Sequence, residues 1–311
     1  MRLCAVMPAT LDPLWPTAAS LLSTLVRTDR TNVALLGVPT YATSLTERPL
    51  CETPHVVRQA LTKYSTWSWD PLSDLSDVVN VVDYGDVHDP DSPEGQRRVL
   101  EAVRRIDPRC EFTAILGGDN ALTFTVLRDL AGAHLDKWGL VTLDAHLDLR
   151  DGASNGSPVR QLLEAGLPGS HVVQVGLADF ANSAPYARRA LDAGITVVPR
   201  SQLCDEGLVH SLDRALSIAG AEGRRVYVDV DLDVADRGAV PGCPAAVPGG
   251  LSAAELRRAV RYLARNHQVH AMDFTEVDAS RDSADQRTIR LMALLLLEAI
   301  SGVSQREGGA S

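Results

Sequence analysis

Thiolate metal sites and disulfide frameworks leave a spacing signature, and this chain has none. Its five cysteines (Cys4, Cys51, Cys110, Cys204 and Cys243) are odd in number, widely scattered and without a Cys-x-x-Cys pair. That excludes a structural zinc site of the thiolate type and fits a reducing compartment. Positive charge is also scarce. Thirty Lys and Arg stand against 40 Asp and Glu, for a net charge of −10, so a phosphate backbone is not an expected partner. Long hydrophobic runs are missing as well. The longest near the end, 291–300, contains Glu298 and is too short to span a bilayer. It reads as a buried helix. The N-terminus shows no basic region followed by an apolar run, so no signal peptide is expected, and the cytoplasm is the expected compartment. No internal repeat, low-complexity tract or linker interrupts the chain. What remains is ordinary globular composition, 45% apolar and 23% charged, in 311 residues. That length suits one large α/β domain over 1–311.

The most informative stretch is Val226-Tyr227-Val228-Asp229-Val230-Asp231-Leu232-Asp233-Val234-Ala235-Asp236. It opens as a β-strand and closes as a run of carboxylates. Alternate side chains of a strand face opposite ways. Val226, Val228 and Val230 then share one face, and Tyr227, Asp229, Asp231 and Asp233 the other. Like charges on one edge repel, and cations set against them remove that cost. Oxygen ligands point to Mg2+, Ca2+ or Mn2+; an added imidazole moves the choice toward Mn2+ or another transition metal. A solvated Asp-rich turn is the plainer alternative.

Two further stretches favour the cation. Gly139-Leu140-Val141-Thr142-Leu143-Asp144-Ala145-His146-Leu147-Asp148 runs from an apolar strand into Asp, His and Asp at period two. Thr113-Ala114-Ile115-Leu116-Gly117-Gly118-Asp119-Asn120 is a strand closed by two glycines and a polar pair. In an open parallel sheet, ligands bind beyond the carboxyl ends of the strands. The remaining pattern supports such a sheet. Strands are expected at 32–38, 80–82, 113–117, 139–143, 172–176, 195–198, 225–230 and 269–274. Helices are expected at 18–26, from Thr53-Pro54 through Leu61, and at 92–106, 121–130, 159–165, 187–193, 211–218, 253–266 and the terminal apolar segment. The loop 40–54 has no regular period. Alternation of strand and helix predicts a parallel sheet with helices on both faces.

Together Gly-Gly-Asp-Asn (117–120), Asp-Ala-His-Leu-Asp (144–148) and Asp-Val-Asp-Leu-Asp-Val-Ala-Asp (229–236) resemble the signature set of the ureohydrolases. These include arginases, agmatinases and formimidoylglutamases. The resemblance runs from about Leu36 to Leu297. It implies a three-layer αβα fold around a mostly parallel sheet (the arginase-like fold) and two Mn2+ per chain. By this resemblance Asp144 and Asp231 bridge the ions, His146 and Asp233 complete one site, and Asp148 and Asn120 the other. A bridging hydroxide, oriented by Asp148, attacks the amidine carbon. Glu276, in Asp273-Phe274-Thr275-Glu276-Val277, looks like the family's acid that holds the cationic group. Asp229 and Asp236 are expected to be structural, and Arg58 a surface residue of a packing helix. Relatives assemble as trimers or hexamers, so a homo-oligomer is expected.

Two departures narrow the reading. Asn120 stands where the family usually has His, and an amide oxygen is a poorer ligand for a transition metal than imidazole. In Ser154-Asn155-Gly156-Ser157-Pro158-Val159 the His-Gly of arginases and agmatinases is missing, which counts against those activities. The same stretch, Tyr64-Ser65-Thr66-Trp67, Phe180-Ala181-Asn182-Ser183 with Tyr186, and the loops 241–244 and 248–252 are similar to the formimidoylglutamase branch. The implied reaction is N-formimino-L-glutamate to L-glutamate and formamide, in histidine breakdown. Asn155, Asn182 and Ser183 are candidate substrate contacts. Two substrate carboxylates call for cations, and Arg150, Arg160 and Arg237 lie near the metal motifs in sequence. The alternatives are hydrolysis of another guanidino or amidino compound, or a ureohydrolase fold that has lost catalysis and serves as a binding protein.

Overall fold

The computed structural model describes residues 12–47 and 50–306. Cys4 and positions 48–49 of the 40–54 loop lie outside the described residues. Its strands, in chain order, are β1 (Leu22–Ser23), β2 (Thr31–Val38), β3 (Trp67–Ser68), β4 (Ser73–Asp74), β5 (Val79–Asp86), β6 (Cys110–Gly117), β7 (Trp138–Leu143), β8 (Val172–Leu177), β9 (Thr196–Pro199), β10 (Arg225–Asp231) and β11 (Val269–Thr275). Nine of them form one sheet in the order β1-β5-β2-β6-β11-β10-β7-β8-β9. Every pairing in it is parallel. β3 and β4 form a separate antiparallel hairpin.

The strands read as near-continuous apolar runs because both faces are covered. All eight residues of β2 are buried, and so are all six of β7. Alternation divides them between two cores. Val226, Val228 and Val230 enter one, with Phe112, Phe274 and the terminal helix; Tyr227 enters the other, with Leu140 and Ile115. The expected split of the β10 faces therefore holds within the strand. Helices Pro93–Arg105 and Ala253–Arg265 start where their caps predict. The Ser92 side chain accepts from the Gly95 amide, and Ser252 with Glu255 forms a capping box. One position depends on glycine for close approach: a Cβ on Gly139 in β7 would stand 2.2 Å from the Ala219 carbonyl oxygen.

Three local readings change. The helix expected at 18–26 is a 3-10 turn, Ala18–Leu21, followed by β1. Leu22 and Ser23 pair with Val81 and Val82 of β5, and this edge pairing overrides local helix preference. The hairpin β3–β4 and the helix Arg200–Glu206 carry too little periodicity to be seen in sequence. Arg58 is not a surface residue. Its guanidinium pairs with Asp83 at 2.8 Å and Asp86 at 2.5 Å, and its side chain is 14% exposed.

The terminal helix, Arg287–Val303, is the expected buried segment, and Glu298 is buried within it. Arg257 and Arg261 on the neighbouring helix meet its carboxylate at 2.6 and 2.5 Å. Among the described residues no helix is long and apolar enough to cross a membrane. Removing one partner of a buried pair exposes the other's desolvation cost. Glu298→Ala should destabilise the fold by about 3 kcal/mol, the low end for such pairs because Arg257 can reach solvent. A lowered urea midpoint with unchanged slope is the expected signature; an unshifted midpoint would show that the pair adds nothing.

Candidate metal centre

The motif-bearing strands are four consecutive members of the sheet, β6-β11-β10-β7. Because they are parallel, all four present their carboxyl ends at one edge. β6 runs into Asp119-Asn120, β11 into Glu276, β10 into Asp233, and β7 into Asp144–Asp148. The two glycines let the end of β6 pass under its neighbours. A Cβ on Gly118 would lie 2.0 Å from the Thr40 carbonyl oxygen, and one on Gly117 would lie 2.2 Å from Leu122.

Asp144, Asp231 and Asp233 are buried almost completely, and Asp148 and Glu276 nearly so. Asp144, His146 and Asp233 bring their donor atoms within 4.8 Å of one another. His146 Nδ1 lies 2.7 Å from Asp233 Oδ2 and 3.6 Å from Asp144 Oδ1. Backbone amides orient the carboxylates: Ala145 donates to Asp233 Oδ1, His146 to Asp144 Oδ1 and Asp233 to Asp231 Oδ1. Asp231 ends its strand, and Asp233 is carried inward by the 3-10 turn Leu232–Val234. The simple period-two reading of 229–233 therefore stops at Asp231. Asp148 and Glu276 both have left-handed backbones, φ 51° and φ 62°. A non-glycine residue held there is strained, and such strain gathers at functional sites.

Burial dominates the electrostatics. It pushes the Asp144 carboxyl up to about 7, and the charge of Asp233 adds to the rise. Asp148 and Asp231 are driven well above the carboxylate range, first by burial and then by neighbouring carboxylates. For His146 burial acts downward, but hydrogen bonds to Asp144 and Asp233 outweigh it and raise the imidazole to about 11. Asp233 is the exception: His146 holds it below its ordinary value despite burial. Asp144 Oδ2 is buried without a hydrogen-bond partner among the described residues. Buried carboxylates that repel one another, an orphaned oxygen among them and an imidazole at their edge make a donor set suited to a borderline divalent cation.

Asn120 is placed differently from a ligand. Its Oδ1 accepts from Thr123 Oγ1 at 2.7 Å and Thr275 Oγ1 at 3.3 Å. Its Nδ2 donates to Asp148 Oδ2 at 2.6 Å. An amide nitrogen has no lone pair for a metal, so in this geometry Asn120 clamps Asp148. Below it lies a buried polar layer. Tyr227 and Thr123 hydroxyls each reach Asp273 Oδ2 at 2.7 Å, and Asp229 faces Asn120. Asp236 accepts from the Gly238 and Gly249 amides and closes the following loop. Both aspartates thus make structural contacts.

A cavity of about 390 Å3 opens above the cluster, with His146, Asp148, Asp231, Asp233 and Glu276 at its floor. Asn155 lines it and donates to Glu276 Oε1 at 2.8 Å; the Asn120 amide reaches the same oxygen. Asn182 lines it too, but its side chain is committed to the backbone. It accepts from the Leu147 amide and donates to the Ala145 carbonyl, fastening the 144–148 turn. Ser183 lines the rim and caps the helix Ala184–Asp192. Of the three candidate arginines, Arg150 lines the cavity and its guanidinium has no carboxylate partner among the described residues. Arg160 is turned aside: it pairs with Glu164 at 2.6 Å and donates to the Arg150 carbonyl. Arg237 donates to the Cys243 and Pro244 carbonyls. Sequence reasoning missed Arg200, which donates to the carbonyls of Gly176, Asp233 and Val234 and pins the Asp233 turn. It also missed Thr123 and Thr275. Apart from the Thr123–Asn120 contact, three residues apart, their partners are distant in sequence and leave no local signal.

Comparison with known proteins agrees with this geometry. Formimidoylglutamase of Halalkalibacterium halodurans is 34% identical over 276 residues, covering 86% of each chain. The solved formimidoylglutamase of Bacillus subtilis superposes with a TM-score of 0.88 at 28% identity, covering 98% of this chain and 97% of that one. A Trypanosoma cruzi formiminoglutamase solved with Mn2+ shares the fold, with a TM-score of 0.83 at 24% identity over 94% of this chain and 99% of that one. The model of the arginase family matches residues 31–302, a span that takes in every strand end of the cluster. The all-parallel sheet, the buried acid cluster at its carboxyl edge and this match along the chain lead to one assignment: the protein belongs to the arginase family.

Proposed function

We propose that this chain is a manganese-dependent formimidoylglutamase, hydrolysing N-formimino-L-glutamate to L-glutamate and formamide. The observation that carries the proposal is the likeness to formimidoylglutamases along nearly the whole chain. The Mn2+ of the Trypanosoma cruzi structure supports the choice of metal. The missing His-Gly at 154–159 disfavours the agmatinase-like alternative. With the same proposal go a single domain over 1–311, a cytoplasmic location and assembly into trimers or hexamers.

In this reading Asp144, His146, Asp231 and Asp233 would hold the cations, with Asp148 beside them and Asn120 setting its orientation. Two divalent ions, when bound, would acidify water and polarise the amidine carbon. The chain's own residues do the rest. Glu276 faces the cavity and suits an amidinium, which is planar and donates paired hydrogen bonds. Asn155 and the Asn120 amide keep that carboxylate in place. Arg150 at the rim takes a substrate carboxylate, a role its guanidinium, without a carboxylate partner among the described residues, allows and the committed guanidinium of Arg160 does not. Water adds to the formimino carbon, the bond from that carbon to the glutamate nitrogen breaks, and the nitrogen leaves with a proton. The Asp148 carboxylate is the proposed carrier of that proton.

Formamide release from N-formimino-L-glutamate by Mn2+-loaded protein, abolished by chelation, tests the reaction. Arg150→Ala should raise KM about 10–100-fold with kcat nearly unchanged, the value of a charge-assisted contact made equally to substrate and transition state. An unchanged KM would remove Arg150 from the substrate site. Asn120→His should retain a second Mn2+ about 10–100-fold more tightly than the wild type through dialysis, read by elemental analysis. Equal retention would mean that position 120 does not neighbour an ion.

Metal removal has a pH signature. Asp144 titrates near 7 in the folded chain without metal, so folded protein binds more protons than unfolded protein between about pH 4 and 7, and stability falls as pH rises through that window. His146, raised to about 11, adds a further fall from about pH 6.5 upward. The Tm of chelated protein should therefore drop between about pH 5 and 8 more steeply than that of Mn2+-loaded protein. Parallel curves would argue against cations on these side chains.

A further inference from the structure

The four strands that end at the acid cluster also begin side by side, and their amino ends border a second cleft of about 570 Å3. Strands of this length separate the two poles by about 20 Å. Trp138 is the first residue of β7 and Arg225 the first of β10, and they are register partners. The Arg225 guanidinium lies over the Trp138 ring, 5.9 Å from its centroid. Among the described residues it makes no hydrogen bond and no ion pair. His270, next to the start of β11, meets the same ring edge-on at 6.1 Å.

Arg306 supplies a second guanidinium. Burial is the main cause that lowers it to about 10. Its donors reach the carbonyls of Ala264, Glu111 and Val269, and no carboxylate lies in ion-pair range among the described residues. A guanidinium has five N–H donors, so Arg306 keeps donors to spare. Two acids border the cleft. Asp107 is held by Arg109 at 2.7 Å, and Glu111 is exposed. Burial lowers the pKa of His270, and the charges of Arg225, Arg306 and His267 lower it further. Val103, Ile106 and Leu130 add an apolar wall beside Trp138.

An arginine stacked on an indole with its donors unused, a second cation beside it and an apolar wall have one chemistry in common. A guanidinium takes a carboxylate or phosphate oxygen pair, the buried indole holds that guanidinium in place, and the wall takes an apolar body. We infer that this cleft binds a small organic anion with an apolar body, its charged group on Arg225 and Arg306 and its body against Ile106 and Leu130. The site is separate from the metal centre and does not depend on the reaction assigned there.

Calorimetric titration of the full Mn2+-loaded chain with naphthalene-2-carboxylate tests the inference. Saturable binding at one site per chain is expected. Arg225→Ala should weaken it at least about tenfold, and the uncharged naphthalene-2-carboxamide and inorganic phosphate should each bind the wild type at least about tenfold more weakly. Arg225 is exposed, and among the described residues it makes no hydrogen bond or ion pair beside its contact with the Trp138 ring, so the variant should stay folded with a Tm close to that of the wild type. Trp69→Ala, in the exposed tryptophan pair of the hairpin, should leave the affinity unchanged. No saturable binding at millimolar ligand overturns the inference. So does equal affinity for wild type and Arg225→Ala, for acid and amide, or for naphthoate and phosphate. Loss of binding in Trp69→Ala places the ligand on the hairpin and overturns it equally.

Discussion

Asp144, Asp148, Asp231, Asp233 and Glu276 repel one another inside the protein. That repulsion is the constraint on which the rest of the architecture depends. Each carboxylate has lost most of its water, and unpaired charge in such a place is costly. The sheet meets this demand with rigidity. Four parallel strands, buried on both faces, bring their ends to one edge and hold the acids there whatever the acids themselves prefer. Local compensation is partial: backbone amides, one imidazole and the Asn120 amide share the load, and Asp144 Oδ2 has no hydrogen-bond partner among the described residues. Divalent cations would complete the balance, and so the proposed function and the energetics of the fold concern the same atoms.

The two halves of the cluster differ in chemistry. On one side His146 stands between Asp144 and Asp233, an imidazole with two carboxylates. On the other, Asn120 presents its amide nitrogen to Asp148, backed by Thr123, Thr275 and the Asp273–Tyr227 layer. A carboxylate gripped by an amide donor is oriented but less free to move toward a cation. The proposed reading therefore implies unequal metal sites, with Asp148 tuned as much for proton handling as for ligation. Supports from outside the motifs set the same geometry. Arg200 pins the Asp233 turn, and Asn182 fastens the 144–148 turn.

The sheet is polarised from end to end. Its carboxyl edge gathers acids; its amino edge, at the same four strands, gathers Arg225, Arg306 and Trp138. Each pole is assembled from strand termini that lie far apart in the chain, and the stiffness of the strands between them keeps the two apart.

The amino-acid sequence by itself determined the alternation of strand and helix, the three strand ends that carry acid, and the family likeness of motifs 117–120, 144–148 and 229–236. These are local properties: a buried parallel strand is a short apolar run, and a motif is contiguous. Cap residues such as Ser92 and Ser252 were legible for the same reason. Tertiary structure alone decided the rest. It set β11 between β6 and β10, so that Glu276 joined the cluster. It turned the Asn120 amide toward Asp148, left Arg150 in the cavity and brought Arg58 into a half-buried ion pair with Asp83. Each of these outcomes depends on a partner tens of residues away or on the space left by packing. Periodicity and composition report the preferences of one segment and carry no information about which distant segment will face it.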